Sequence, residues 1–183
     1  MVWLILGVIL WSYSHLMKRV TPGFRAGLGD NAGKLVATVL TFAALALMIT
    51  GYRAAEVVIL WEPPGFLRPI SILLMLVAVI LVTLGYSRGA LRSRMRHPML
   101  TSVKVWALAH LLVNGDLASV ILFGGVLVWA VVDVILINRM EPAWRRPAPG
   151  PARNDAVHIA LSVVLFAGIG WLHAWLGVPV LGG

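Results

Sequence analysis

The 183 residues are 60% hydrophobic and 12% charged, with a mean hydropathy of +0.92. A soluble domain of this length buries only about 70% of its unfolded surface, so a chain this apolar excludes an ordinary soluble globule and reads as one all-α domain (1–183) embedded in lipid. The net charge of +8 looks like a nucleic-acid footprint, but the charges gather in a few loops and no nucleic-acid partner is expected.

A spanning helix needs about 20 predominantly apolar residues. The first candidate is 2–19. It lacks a basic leader and an A-x-A-like cleavage site, so it reads as a retained helix. The loop after it holds Gly23, Gly27 and Gly29 without a preceding strand, which argues against a phosphate-binding loop. The second span is 34–53. AEVVILWEPPGF (55–66) reads as a short surface element ended by Pro63-Pro64. A third span covers 67–87. A shorter apolar run, 101–113, lies between His97-Pro98 and the turn signal Asn114-Gly115-Asp116. With 117–138 it forms a helical hairpin. PAWRRPAPGPARN (142–154) is too proline-rich for a helix, and 157–179 is the last span.

Loop charges support counting the short run. With the N-terminus outside, the inner loops carry Lys18, Arg19, Arg25 and Lys34, then Arg88, Arg92, Arg94, Arg96 and Lys104, then Arg139, Arg145, Arg146 and Arg153. These are 13 of the 15 basic residues, and positive charge marks the cytoplasmic side. The asymmetry requires an even number of spans. The expectation is an all-α integral membrane protein: a six-helix transmembrane bundle with both termini on the outer, periplasmic side.

Ionisable side chains inside a bilayer are costly and are functional candidates by default. Here they are His15, His110, His158, His173 and Asp133. His110, about nine residues into the short helix, is placed near mid-membrane, and its plain structural reading is a hydrogen bond to Ser12, Ser14, Thr41 or Thr83. His158 and His173 read as interfacial. Asp133 is expected to pair with Arg96 or Lys104. The chain has no cysteine, which removes disulfides, thiolate metal sites and covalent haem attachment. Two buried histidines on different helices are then the usual protein contribution to a b-type haem.

The run SRMRHPMLTSVKVWALAHLLVNGDLASVILFGG (93–125) resembles the hallmark segment of the NnrU family, and SHLMKRVTPGFRAGLGDNAGK (14–34) resembles that family's first loop. NnrU proteins are similar to zeta-carotene isomerases, which are membrane haem proteins. The resemblance implies haem b as cofactor, with iron ligated by His110, in Trp106-Ala107-Leu108-Ala109-His110, and by His15. Arg96 and His97 would lie near the haem edge or propionates. The isomerases carry a cysteine where this chain has Ala107, so ligand switching through that thiol is unavailable. The resemblance also implies a multi-pass protein of the bacterial inner membrane, linked to nitrite and nitric oxide metabolism. Its activity would be a haem-dependent isomerisation of a lipophilic polyene. The alternative is a non-enzymatic accessory or assembly subunit, partnered by a respiratory complex or by its own copies.

Overall fold

The computed structural model describes residues 1–177. Among these, seven helices follow in order: α1 (Val2–Val20), α2 (Pro22–Gly27), α3 (Asp30–Arg53), α4 (Leu67–Leu84), α5 (Pro98–Leu111), α6 (Leu117–Met140) and α7 (Ala152–Trp175). A 3-10 turn at Leu91–Arg94 lies between α4 and α5, and α6 contains a π-helical segment at Val120–Gly124. Among the described residues the one β pairing is an isolated bridge between Ile59 and Asp116. The last two positions of the expected span 157–179 lie outside the described residues.

Four helices among the described residues, α3, α4, α6 and α7, are long and apolar enough to cross a membrane. The expected six spans therefore reduce to four that qualify on length and composition. The six longer helices do stand where the apolar runs are. α5 has 14 residues, a rise of about 21 Å against a hydrocarbon core of about 30 Å. α1 has 19 residues, but its last third, Ser12-Tyr13-Ser14-His15 through Lys18-Arg19, dilutes its apolar character. No more than 28% of any of the four qualifying windows is buried, so most of their surface is left for lipid.

Boundaries move for local reasons. The glycine-rich loop after α1 contains a helix, α2, opened by Pro22 at its first turn, where a missing N–H costs nothing. Gly29, at φ 71, takes a left-handed conformation open to glycine, and α3 starts at once with Asp30 in its first turn. α7 begins at Ala152, inside the proline-rich segment, because Pro151 supplies an extended N-cap.

Close helix contacts rest on small residues and buried hydroxyls. A Cβ on Gly7 would lie 2.7 Å from the Met48 backbone nitrogen, and one on Gly51 2.3 Å from that of Leu4, so α1 and α3 touch backbone to backbone. A Cβ on Gly125 would lie 2.5 Å from Val8 Cγ1, which joins α6 to α1. Between α4 and α5, buried Ser71 donates to the Ala109 carbonyl at 2.7 Å and buried Ser102 to that of Ala78 at 2.7 Å. These cross-helix bonds hold α5, too short to be held by lipid alone. Leu4, Met48, Ala118, Val126, Trp129 and Ala130 form the core.

Asn114-Gly115-Asp116 is the expected turn. Asp116 caps α6 by accepting from Ser119 N at 2.8 Å and Ser119 Oγ at 2.6 Å. The Gly115 carbonyl accepts from Leu60 N and Trp61 N, and Leu117 N donates to the Val58 carbonyl. The 55–66 segment is thereby stitched across the α5–α6 hairpin. Asp116→Ala is expected to cost about 1 kcal/mol, the usual value of an N-cap. A melting temperature in detergent equal to that of wild type would disprove this role.

The basic segments meet at one end of the bundle. Arg146 Nε donates to the Ser93 carbonyl at 2.6 Å. Asp155 accepts from Ala90 N at 2.9 Å and Leu91 N at 3.1 Å. Arg96 donates to the carbonyls of Glu141 and Pro142, and Arg19 reaches Asp133 and Glu141.

Candidate functional site

His15 lies on α1, one turn after Trp11. Its Nδ1 is 2.9 Å from the Trp11 carbonyl. A carbonyl only accepts, so Nδ1 carries the proton and the neutral ring's lone pair is on Nε2. The ring sits in an aromatic cluster, with centroids 4.3 Å from Trp11 and 4.8 Å from Trp129. His110 repeats the arrangement on α5. Its Nδ1–H donates to the Trp106 carbonyl at 2.9 Å, and its ring stacks on Phe123 at 4.4 Å and lies tilted against Trp106 at 4.8 Å. Asn114 Nδ2 donates to the His110 carbonyl at 2.8 Å and closes that turn. Neither Nε2 has a hydrogen-bond partner among the described residues.

The four hydroxyls expected as partners for His110 are engaged elsewhere. Ser12 bonds the Val8 carbonyl, Ser14 the Trp11 carbonyl, Thr41 bonds Ser14 and the Ala37 carbonyl, and Thr83 bonds His158. A backbone bond at Nδ1 that leaves Nε2 free is the way proteins orient an imidazole toward a metal.

The bounds of α5 differ from expectation. α5 starts at Pro98 rather than at Thr101 and stops at Leu111, so His110 occupies its last turn, away from the basic end. His97 Nε2 bonds Asn138 Oδ1 at 2.9 Å, at the other end of α5. Thirteen residues of helix separate it from His110, about 20 Å. Arg96 sits beside it on the Glu141 and Pro142 carbonyls. The structure does not bring Arg96 and His97 to His110.

His15 and His110 pack on different residues of α6. One packs on Trp129 and the other on Phe123, six residues apart on α6, or about 9 Å of rise. Each histidine fits an imidazole ligand by itself. Among the described residues no three His, Asp or Glu side chains gather as a cage for a metal ion.

Around His15 lie polar groups that hydropathy alone does not reveal. Asp133 pairs with Arg19 at 3.3 Å, in place of the expected Arg96 or Lys104, because α1 and α6 run side by side and bring these residues level. Trp11 Nε1, Trp129 Nε1 and Arg19 Nε are buried without a hydrogen-bond partner among the described residues. His158 is 8% exposed and bonds Thr83. His173 donates from Nδ1 to the Ile169 carbonyl at 2.8 Å near the end of α7.

The family model for NnrU protein matches residues 3–180. The chain belongs to the NnrU family. Comparisons with curated proteins and with solved structures give no match. In this NnrU chain the Trp106–His110 spacing recurs on α1: Trp11 and His15, like Trp106 and His110, form a Trp-x-x-x-His pair. That spacing puts an aromatic ring one helical turn before each imidazole.

Proposed function

We propose that this NnrU protein is a haem b protein of the bacterial inner membrane, with His110 as the primary iron ligand. The supporting observation is the His110 ring itself. Its Nδ1–H is fixed on the Trp106 carbonyl, and its Nε2 is left as a free lone pair inside an aromatic, apolar setting. His15 has the same chemistry beside Trp129 and is the second ligand in this reading. Haem iron supplies a redox-active, Lewis-acidic centre. Its presence makes isomerisation of a lipophilic polyene the reaction to test first, and family membership supports the link to nitrite and nitric oxide metabolism. In this reading all six longer helices, α1 and α5 included, lie in the membrane. The gathered basic residues face the cytoplasm, and both termini face the periplasm.

Protein purified from haem-replete cells is expected to show a Soret band that His110→Ala abolishes. His15→Ala should convert a low-spin spectrum to high-spin if His15 is the second ligand, and leave it unchanged if it is not. A colourless, well-folded wild-type preparation overturns the haem reading and leaves the non-enzymatic accessory subunit as the function of this bundle.

A further inference from the structure

A groove of about 560 Å³ opens between α4 and α7 at the basic end of the bundle. That volume lies within the range of small-molecule sites, roughly 300–1,000 Å³. Val157, Leu161 and Leu165 form its apolar wall. They are among the outward-facing residues of α7, with Leu161 64% exposed, so the groove opens onto the surface that meets lipid. Its floor is polar. His158 and Ser162 are buried at 8% and 1% exposure, and Thr83 Oγ1 lies 2.9 Å from both His158 Nε2 and Ser162 Oγ.

Proton counting makes this floor adaptable. Each hydroxyl has one proton. Ser162 has the His158 carbonyl at 2.8 Å as an acceptor, and Thr83 has the Val79 carbonyl at 2.9 Å. If both hydroxyls use these carbonyls, His158 donates from Nε2 to Thr83 and its Nδ1 is a bare lone pair. If Thr83 instead donates to Nε2, Nδ1 carries the proton. In both arrangements Nδ1 is buried with no partner among the described residues, and a buried polar group left unpaired is costly. The missing partner is a hydroxyl in the first state and a carbonyl in the second. Among the described residues no cationic side chain lies on the floor, and Arg88, which also lines the groove, is exposed. The floor therefore suits a neutral head better than a phosphate.

We infer that this groove binds a membrane-soluble molecule with an apolar tail and a neutral carbonyl- or hydroxyl-bearing head, the chemistry of a quinone and its quinol. His158 accepts from or donates to the head through Nδ1, and Thr83 and Ser162 adjust the ring's tautomer. The groove is built by α4 and α7, whereas His15 and His110 stand on α1 and α5, so the inference is independent of the haem assignment.

Native mass spectrometry of the full-length protein, titrated with decyl-ubiquinone, tests it. Wild type and His110→Ala should bind one molecule. His158→Ala, and Leu161→Trp filling the groove from its exposed wall, should each weaken binding by at least about tenfold, a difference of about 1.4 kcal/mol. Leu161→Trp guards against misfolding of the buried-histidine variant, since its side chain is outward, and Leu73→Trp on the exposed face of α4 is the control that should bind normally. Absence of binding to wild type overturns the inference, as does undiminished binding to Leu161→Trp. So does a groove in which phosphatidylglycerol competes fully with decyl-ubiquinone, since the occupant is then a lipid phosphate.

Discussion

Asp133→Ala is expected to lower the stability of the detergent-solubilised protein by about 3 kcal/mol. The cause is Arg19, not the lost carboxylate. Arg19 Nη1 lies 3.3 Å from Asp133 Oδ1, and the two side chains are only 17% and 10% exposed. Removing one member of a buried ion pair leaves an uncompensated charge, which costs about 3–5 kcal/mol. The residual exposure places this pair at the low end. Glu141 is no substitute: it is 3.6 Å from Arg19 Nη2 and 60% exposed, so water screens it. With about 2–4 °C per kcal/mol for a protein of this size, the melting temperature should fall by roughly 6–12 °C. Replacing both partners, Arg19→Leu with Asp133→Leu, should recover most of the loss. A double variant no better than Asp133→Ala, measured by tryptophan fluorescence on heating, would show that the pair is not the source.

Gly51→Ala is expected to separate α1 from α3. The added methyl would sit 2.3 Å from Leu4 N and 2.8 Å from Leu4 Cα. Both are backbone atoms, so no side chain can turn aside, and α1 must move. Overpacking of this kind costs about 1–3 kcal/mol, and here it displaces the helix that carries His15 and Arg19. Gly168→Ala in α7 is the control. Nothing lies within 4 Å of the position its added methyl would take, and alanine favours a helix over glycine by roughly 1 kcal/mol. Its melting temperature should stay level or rise. Equal behaviour of the two variants would rule out a close α1–α3 contact as a structural requirement.

The sites were legible to different depths. The apolar runs located the six longer helices, four of which are long and apolar enough to cross a membrane, because a helix in lipid must be apolar over most of its length. α5 starts at Pro98, ahead of the apolar run, because a proline ring is tolerated in the first turn of a helix. The burial of His158 was unreadable from its position beside Asp155. Asp155 is occupied with the Ala90 and Leu91 amides, which pulls the 85–94 segment over this end of α7. The partner of Asp133 was equally hidden, since Arg19, Arg96 and Lys104 all lie near the same end of the bundle and only helix adjacency chooses among them.

Composition and periodicity by themselves determined that this chain is a helical membrane protein, that most of its basic residues gather in a few loops, and that its histidines and Asp133 are the ionisable groups to examine. Those properties follow from the cost of polar groups in hydrocarbon, which each residue meets on its own. The tertiary structure alone decided that His15 packs on Trp129 and His110 on Phe123, that Asp133 answers Arg19, and that Thr83, His158 and Ser162 meet in one groove. Those are distances between helices. They depend on which small residues let two backbones approach, and a hydropathy pattern carries no record of that choice.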